Sequence, residues 1–140
     1  KEYISKEPDN AVLCDGLARI YDQMGNTAEA VAAMEKVVEL VPTDFASSYN
    51  LGLFRIKIGD DMNQELNKQN FTGQNEYNAA LQKVFDAYKE AIPPLERAYE
   101  IDPKNPIAIE LLKNVTFRLR DEPGMMEKYE KYNELFKQIQ

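Results

Sequence analysis

The stretch that decides the fold runs from Ala11 to Asp44, AVLCDGLARIYDQMGNTAEAVAAMEKVVELVPTD. Leu13, Leu17, Ile20, Tyr21 and Met24 recur at three and four residues, the period of a helix with one apolar face. Gly25-Asn26 interrupts the pattern. Asn26 and Glu29 form a capping pair in sequence, the Asn side chain being offered to free amides of a second helix. That helix carries Ala30, Val31, Met34, Val37, Val38 and Val41, and Pro42 closes it. The reading is helix, tight turn, helix. The first stripe is expected to face a core, so that Leu17→Ala opens a cavity costing about 2–5 kcal/mol.

The same punctuation recurs outward from this stretch. Glu7-Pro8-Asp9-Asn10, Pro42-Thr43-Asp44 and Asp102-Pro103-Lys104-Asn105-Pro106 each stop one helix and cap the next. Asp44 or Thr43 can accept from free amides, and Asn105 with Pro106 reads as an N-cap followed by the first helical residue. Pro8 and Pro42 are 34 residues apart, and a period of that size marks stacked helical hairpins. No segment alternates with period two and β-branched residues are not clustered, so the fold class is all-α.

The second unit is too long for that period. Phe45 to Asn105 is 61 residues, 27 more than 34. Gly59-Asp60 would end a standard first helix, yet Leu51, Phe54/Arg55, Ile58, Met62 and Leu66 keep one stripe alive. On the return, Tyr77, Leu81, Val84/Phe85, Tyr88, Ile92, Leu95 and Tyr99 form another, with the break at Asn70-Phe71-Thr72-Gly73. The insertion, at about 60–86, therefore lengthens both helices. Some 12 extra residues in each would project roughly 18 Å. Gly59 within a helix costs about 1 kcal/mol. Pro93-Pro94 remove two amide donors, which predicts a kink near Glu90–Ile92. The third unit runs from Pro106 to about Arg120 and from Gly124 to Ile139. Its last helix places Tyr129, Tyr132 and Phe136 on one side and Glu127, Glu130 and Lys131 on the other, the pattern of a half-exposed terminal helix. The expected organisation is 1–8, the tail of a preceding repeat helix in a longer protein; 9–44; 45–105; and 106–140.

Composition removes several functions. Lys plus Arg number 17 and Asp plus Glu 24, a net charge of −7, which argues against a nucleic-acid or anionic-membrane surface. There is no His, and Cys14 stands alone, so no disulfide within the chain and no Cys zinc cluster can form. No apolar run approaches the ~18 residues of a membrane span. One Cys leaves cytoplasm and periplasm both open, and the acidic composition has a bacterial look. Cys14 sits on a helical stripe and reads as core. Asp60-Asp61 and Asp121-Glu122 read as helix-end caps rather than an acid/base pair. No phosphate-cradling glycine loop and no calcium-loop spacing is present. The expectation is no enzyme, no cofactor and no metal site.

With these residues in place, the hairpins resemble tetratricopeptide repeats. Leu17-Ala18 stands at that family's leucine-glycine pair, Tyr21 at its aromatic, Gly25 at its turn, Ala30 at its small residue and Pro42 at its close. Cys14 replaces the family's tryptophan and Met34 its large aromatic. The second unit keeps Leu51-Gly52, Gly59, Ala91, Leu95, Ala98 and Pro103, with Arg55 in place of the aromatic. The third keeps Leu112. The resemblance implies a superhelical α-solenoid in which Ala18, Gly52, Ala30 and Ala98 permit close helix approach and neighbours stack to bury both faces.

It also implies a role: a scaffold binding a peptide or partner domain in a groove lined by the first helix of each hairpin. The positions carried over are Asp15, Arg19, Asp22, Tyr49, Asn50, Leu53, Ile56, Glu110, Asn114, Phe117 and Arg118. Arg19, Tyr49, Asn50, Leu53, Ile56, Asn114 and Arg118 are the candidate partner-binding residues. The chaperone-type subgroup clamps a C-terminal carboxylate with Lys, Asn, Asn, Lys and Arg; those places hold Asp15, Arg19, Asn50, Ile107 and Leu111, of which Asn50 alone fits. Expected partners are proteins or peptides, not nucleic acid and not a membrane. Self-assembly through terminal repeat faces, or service as an accessory domain of a larger enzyme or sensor, is the alternative.

Overall fold

The computed structural model describes residues 8–139, which form seven helices and no strand. They are α1 (Pro8–Gln23), α2 (Thr27–Leu40), α3 (Phe45–Lys68), α4 (Gln74–Lys89), α5 (Ile92–Ile101), α6 (Pro106–Arg118) and α7 (Met125–Gln138). The expected tail over 1–8 lies outside the described residues except for Pro8, which opens α1. α1 packs on α2, α3 on α4 and α5, and α6 on α7; between hairpins, α2 lies on α3 and α5 on α6. The result is a stack of antiparallel helical pairs.

Local chemistry explains the joints. Gly25 and Gly124 both turn at φ +80°, a left-handed conformation that favours glycine. Asp44 Oδ2 accepts from the Ser47 amide at 3.0 Å and Asn105 Oδ1 from the Ile107 amide at 3.2 Å. Asn26 departs from the capping pair expected of it. Its side chain makes no capping bond, because ψ is 71° rather than the extended value that aims a cap at the second and third amides. Its carbonyl instead accepts from Ala30 at 3.0 Å.

The long arm is helical on both sides. α3 runs 24 residues through Gly59 without a break, so Asp60 and Asp61 are mid-helix residues and not the end caps expected from sequence. The returning side is interrupted at Glu90 and Ala91, both of which stay in right-handed helical space. The expected kink is thus a full stop of α4 and a restart of α5, with Pro93 and Pro94 in the new first turn. There their missing amides leave no bond unmade. At the tip, Phe71 meets Tyr77 edge-on at 5.6 Å and Leu66 is buried, which carries the apolar core out into the arm.

Two apolar clusters hold the stack. One joins Cys14, Ala18, Val31, Met34 and Val37 to Leu51 of α3. The other runs from Leu66 through Tyr88 and Leu95 to Leu112 and Tyr132. Gly52 lets α3 and α5 touch: a β-carbon there would stand 2.5 Å from Leu95 Cγ.

The stripe of α1 faces the other way from its expected burial. A 34-residue shift carries Leu13, Leu17, Ile20 and Met24 onto Ser47, Leu51, Phe54 and Ile58 of α3, where α2 covers Leu51, Phe54 and Ile58. The matching face of α6, Ala108, Leu112, Val115 and Leu119, lies wholly inside. On α1, Leu17 is 40% exposed and Met24 64%. Among the described residues no helix occupies the place that α2 and α5 take on the next two hairpins.

Candidate partner-binding face

α3 borders α1 in one hollow and α6 in another, and it carries most of the candidate residues. The Tyr49 ring stacks on Phe45 with centroids 5.8 Å apart and planes at 11°. Burial, and then the Glu110 carboxylate, raise the Tyr49 phenol above its ordinary pKa. Leu53 is exposed one turn further on. Ile56 then forms one wall of a 200 Å³ cavity between α3 and α6, shared with Asp60, Tyr88, Leu111, Asn114 and Arg118.

A polar triad closes that cavity. The Tyr88 hydroxyl donates to Asp60 Oδ1 at 2.5 Å, and Arg118 Nη1 donates both to Asp60 Oδ1 at 3.0 Å and to the Tyr88 oxygen at 2.6 Å. The guanidinium also sits 5.0 Å from the Tyr88 ring centroid. Tyr88 is buried, and that burial together with the bond to Asp60 pushes its phenol up to about 12. The arrangement fixes a cation whose side chain is still half exposed. It holds an ion pair in place at the surface of the α3–α6 junction.

Of the candidate residues, Ile56, Asn114 and Arg118 meet in this cavity, with Tyr49 and Leu53 upstream on the same helix. Arg19 and Asn50 lie apart, in a 530 Å³ hollow between α1, α3 and the end of α2 that Asp15 also lines. Arg19 donates to Asp15 at 2.9 Å in an exposed pair worth little. Asp22 is held by Lys57 at 2.6 Å. Phe117 tilts against Tyr129 at 5.0 Å. Asp60 and Tyr88 are the residues that sequence reasoning missed. In sequence Tyr88 reads as part of an apolar stripe; the available signal is its hydroxyl, which a buried tyrosine must satisfy. Nor is Glu122 a helix-end cap. It accepts from Lys89 at 2.6 Å and Gln82 at 3.0 Å, bonds that lower its pKa. Cys14 is buried in the first cluster. Among the described residues no group of three or more acidic or Cys side chains is placed to hold a metal, and no helix is long and apolar enough to cross a membrane.

Residues 11–44 match a family model described as tetratricopeptide repeat. A comparison with curated proteins returns no match. Two solved structures of monomeric mutant IFIT1, one with m7Gppp-AAAA and one with Gppp-AAAA, share the fold. Each aligns with a TM-score of 0.67 at 19% identity, covering 93% of this chain and 25% of the other. The chain thus spans a quarter of the length of those structures. Nothing in these comparisons supports a bacterial origin.

Proposed function

We propose that this tetratricopeptide-repeat stack is a protein-interaction module without catalytic activity, and that its partner is a peptide or domain lying across α3 and α6. The observation that supports the reading is that Ile56, Asn114 and Arg118 share one cavity with Tyr49 and Leu53 upstream on α3, so that an apolar run leads to the half-exposed Arg118–Asp60 ion pair. Aromatic and arginine side chains supply most of the affinity at protein interfaces. An extended peptide with apolar side chains followed by a carboxylate fits that order. The ligands in the IFIT1 structures are not carried over, because a net charge of −7 opposes a phosphate-rich partner.

The test is affinity capture with the wild-type chain and a Tyr49→Ala/Leu53→Asp variant shown by circular dichroism to be folded. A partner held by the first and lost by the second supports the face; a partner held equally by both removes it. The bare stripe of α1 favours a second reading, association through that end of the stack. A mass that rises with concentration and returns to the monomer in Leu17→Asp would support it.

A further inference from the structure

α3 and α4 reach beyond the turn at Gly25, so the channel that α2 fills on α3 does not end where α2 ends. α2 rests on Leu51, Phe54 and Ile58. The same stripe continues past its first turn, where Thr27 and Ala28 border a hollow with Ile58 and Met62. Beyond that lies a 590 Å³ groove floored by Met62, Leu66, Ala80 and Val84, with exposed Ala79 on its far wall. From Met62 to Gln69 the open groove is about 11 Å long, or two helical turns.

Its rim is acidic and unbalanced. Asp61, Glu65 and Glu76 stand against Lys83 alone. Among the described residues no cation pairs with Asp61 or Glu76, and Glu65 meets Lys68 at 3.7 Å with both side chains exposed. Three other carboxylates near α6 and α7 are each held by a cation: Asp60 by Arg118, Glu122 by Lys89 and Glu96 by Lys128. Three carboxylates thus face one lysine of the groove itself, and Lys57 acts on Asp61 from the same helix.

We propose that this groove is a docking site for a basic amphipathic helix of a partner protein. The helix lays about two turns in the groove, continues the line of α2, sets an apolar stripe on Met62 and Ala80, and carries Lys or Arg along its margins. The site is separate from the candidate face on α3 and α6.

The probe is a fluorescein-labelled synthetic peptide of about four turns, with Leu at helical spacing and Lys on both margins. A second peptide has every Lys replaced by Glu. Anisotropy is measured at low and at physiological salt. The Lys peptide should bind the wild type and lose about tenfold in affinity to Asp61→Lys/Glu65→Lys, whose substituted side chains are exposed. The same loss in Ala79→Arg, which blocks the groove, would locate the peptide there. Tyr49→Ala/Leu53→Asp should bind it unchanged. Equal binding to the charge-reversed variant, equal binding of the Glu peptide, loss of binding in the Tyr49/Leu53 variant, or no binding to the wild type would each overturn the proposal.

Discussion

The ring of Tyr88 lies close against the α3 backbone at Gly59: a β-carbon on Gly59 would stand 2.6 Å from both Cδ1 and Cε1. A glycine that weakens the helix is therefore what admits the aromatic side chain that joins the second hairpin to the third. Gly59→Ala should destabilise by about 1–3 kcal/mol through overpacking, although alanine is the better helix former. Gly16→Ala in α1 is the control. Nothing lies within 4 Å of its β-carbon, and it should gain about 0.5–1 kcal/mol. Urea unfolding of the two variants tests the contrast; a stabilised Gly59→Ala would show that the ring is free to move aside.

Leu17 and Leu51 occupy the same position of successive hairpins and should answer differently to truncation. Leu51 is 7% exposed under α2, so Leu51→Ala should cost about 2–5 kcal/mol. Leu17, on the bare face, should cost under about 1 kcal/mol. Equal losses in thermal unfolding would mean that α1 is covered in solution.

Ser48 is 1% exposed and its hydroxyl has no hydrogen-bond partner among the described residues. Its equivalents in the first and third hairpins are Cys14 and Ile109, neither of which brings a hydroxyl. Ser48→Ala should therefore stabilise the chain by about 1 kcal/mol, the relief of a desolvated hydroxyl. A lower melting temperature would reveal a partner for that oxygen.

Stability should fall on the alkaline side. Tyr88 is raised to about 12 from an ordinary 10, and Tyr132, buried with its hydroxyl donated to Glu96, is raised further. Between those pH values the unfolded chain has released phenolic protons that the folded chain retains, so unfolding is favoured as pH rises. Below about pH 10 the two forms hold these protons equally and the contribution is fully present. Tyr88→Phe and Tyr132→Phe should each flatten the decline, followed by tyrosinate absorbance alongside the circular dichroism signal. An undiminished decline in both variants would assign it to other groups.

Much of the fold was legible because helices declare themselves by period and proline. The extension of α3 through Gly59 followed from Met62 and Leu66 keeping the stripe. Asp44 and Asn105 announced caps by residue type alone. What sequence could not supply was which side of a stripe meets a neighbour. Leu17 and Leu51 look alike on paper, and their difference lies in whether a preceding helix covers them. The candidate face was half legible for the same reason. Ile56 and Arg118 converge because α6 stacks on α3, whereas Arg19 and Asn50 end in a separate hollow. The Asp60–Tyr88–Arg118 triad joins three helices across gaps of 28 and 30 residues, beyond the reach of a local pattern.

The two apolar clusters also divide the chain by cooperativity. The larger one threads hairpins two and three and the arm into a single body through Tyr88, Leu95 and Tyr132. The first hairpin joins it along the seam at Leu51, Phe54 and Ile58 and through the Arg55–Glu35, Lys57–Asp22 and Arg97–Pro42 contacts. Such a stack is expected to open from its α1 end, where one seam holds the hairpin, and faster hydrogen exchange in α1 and α2 than in α5 and α6 would check it.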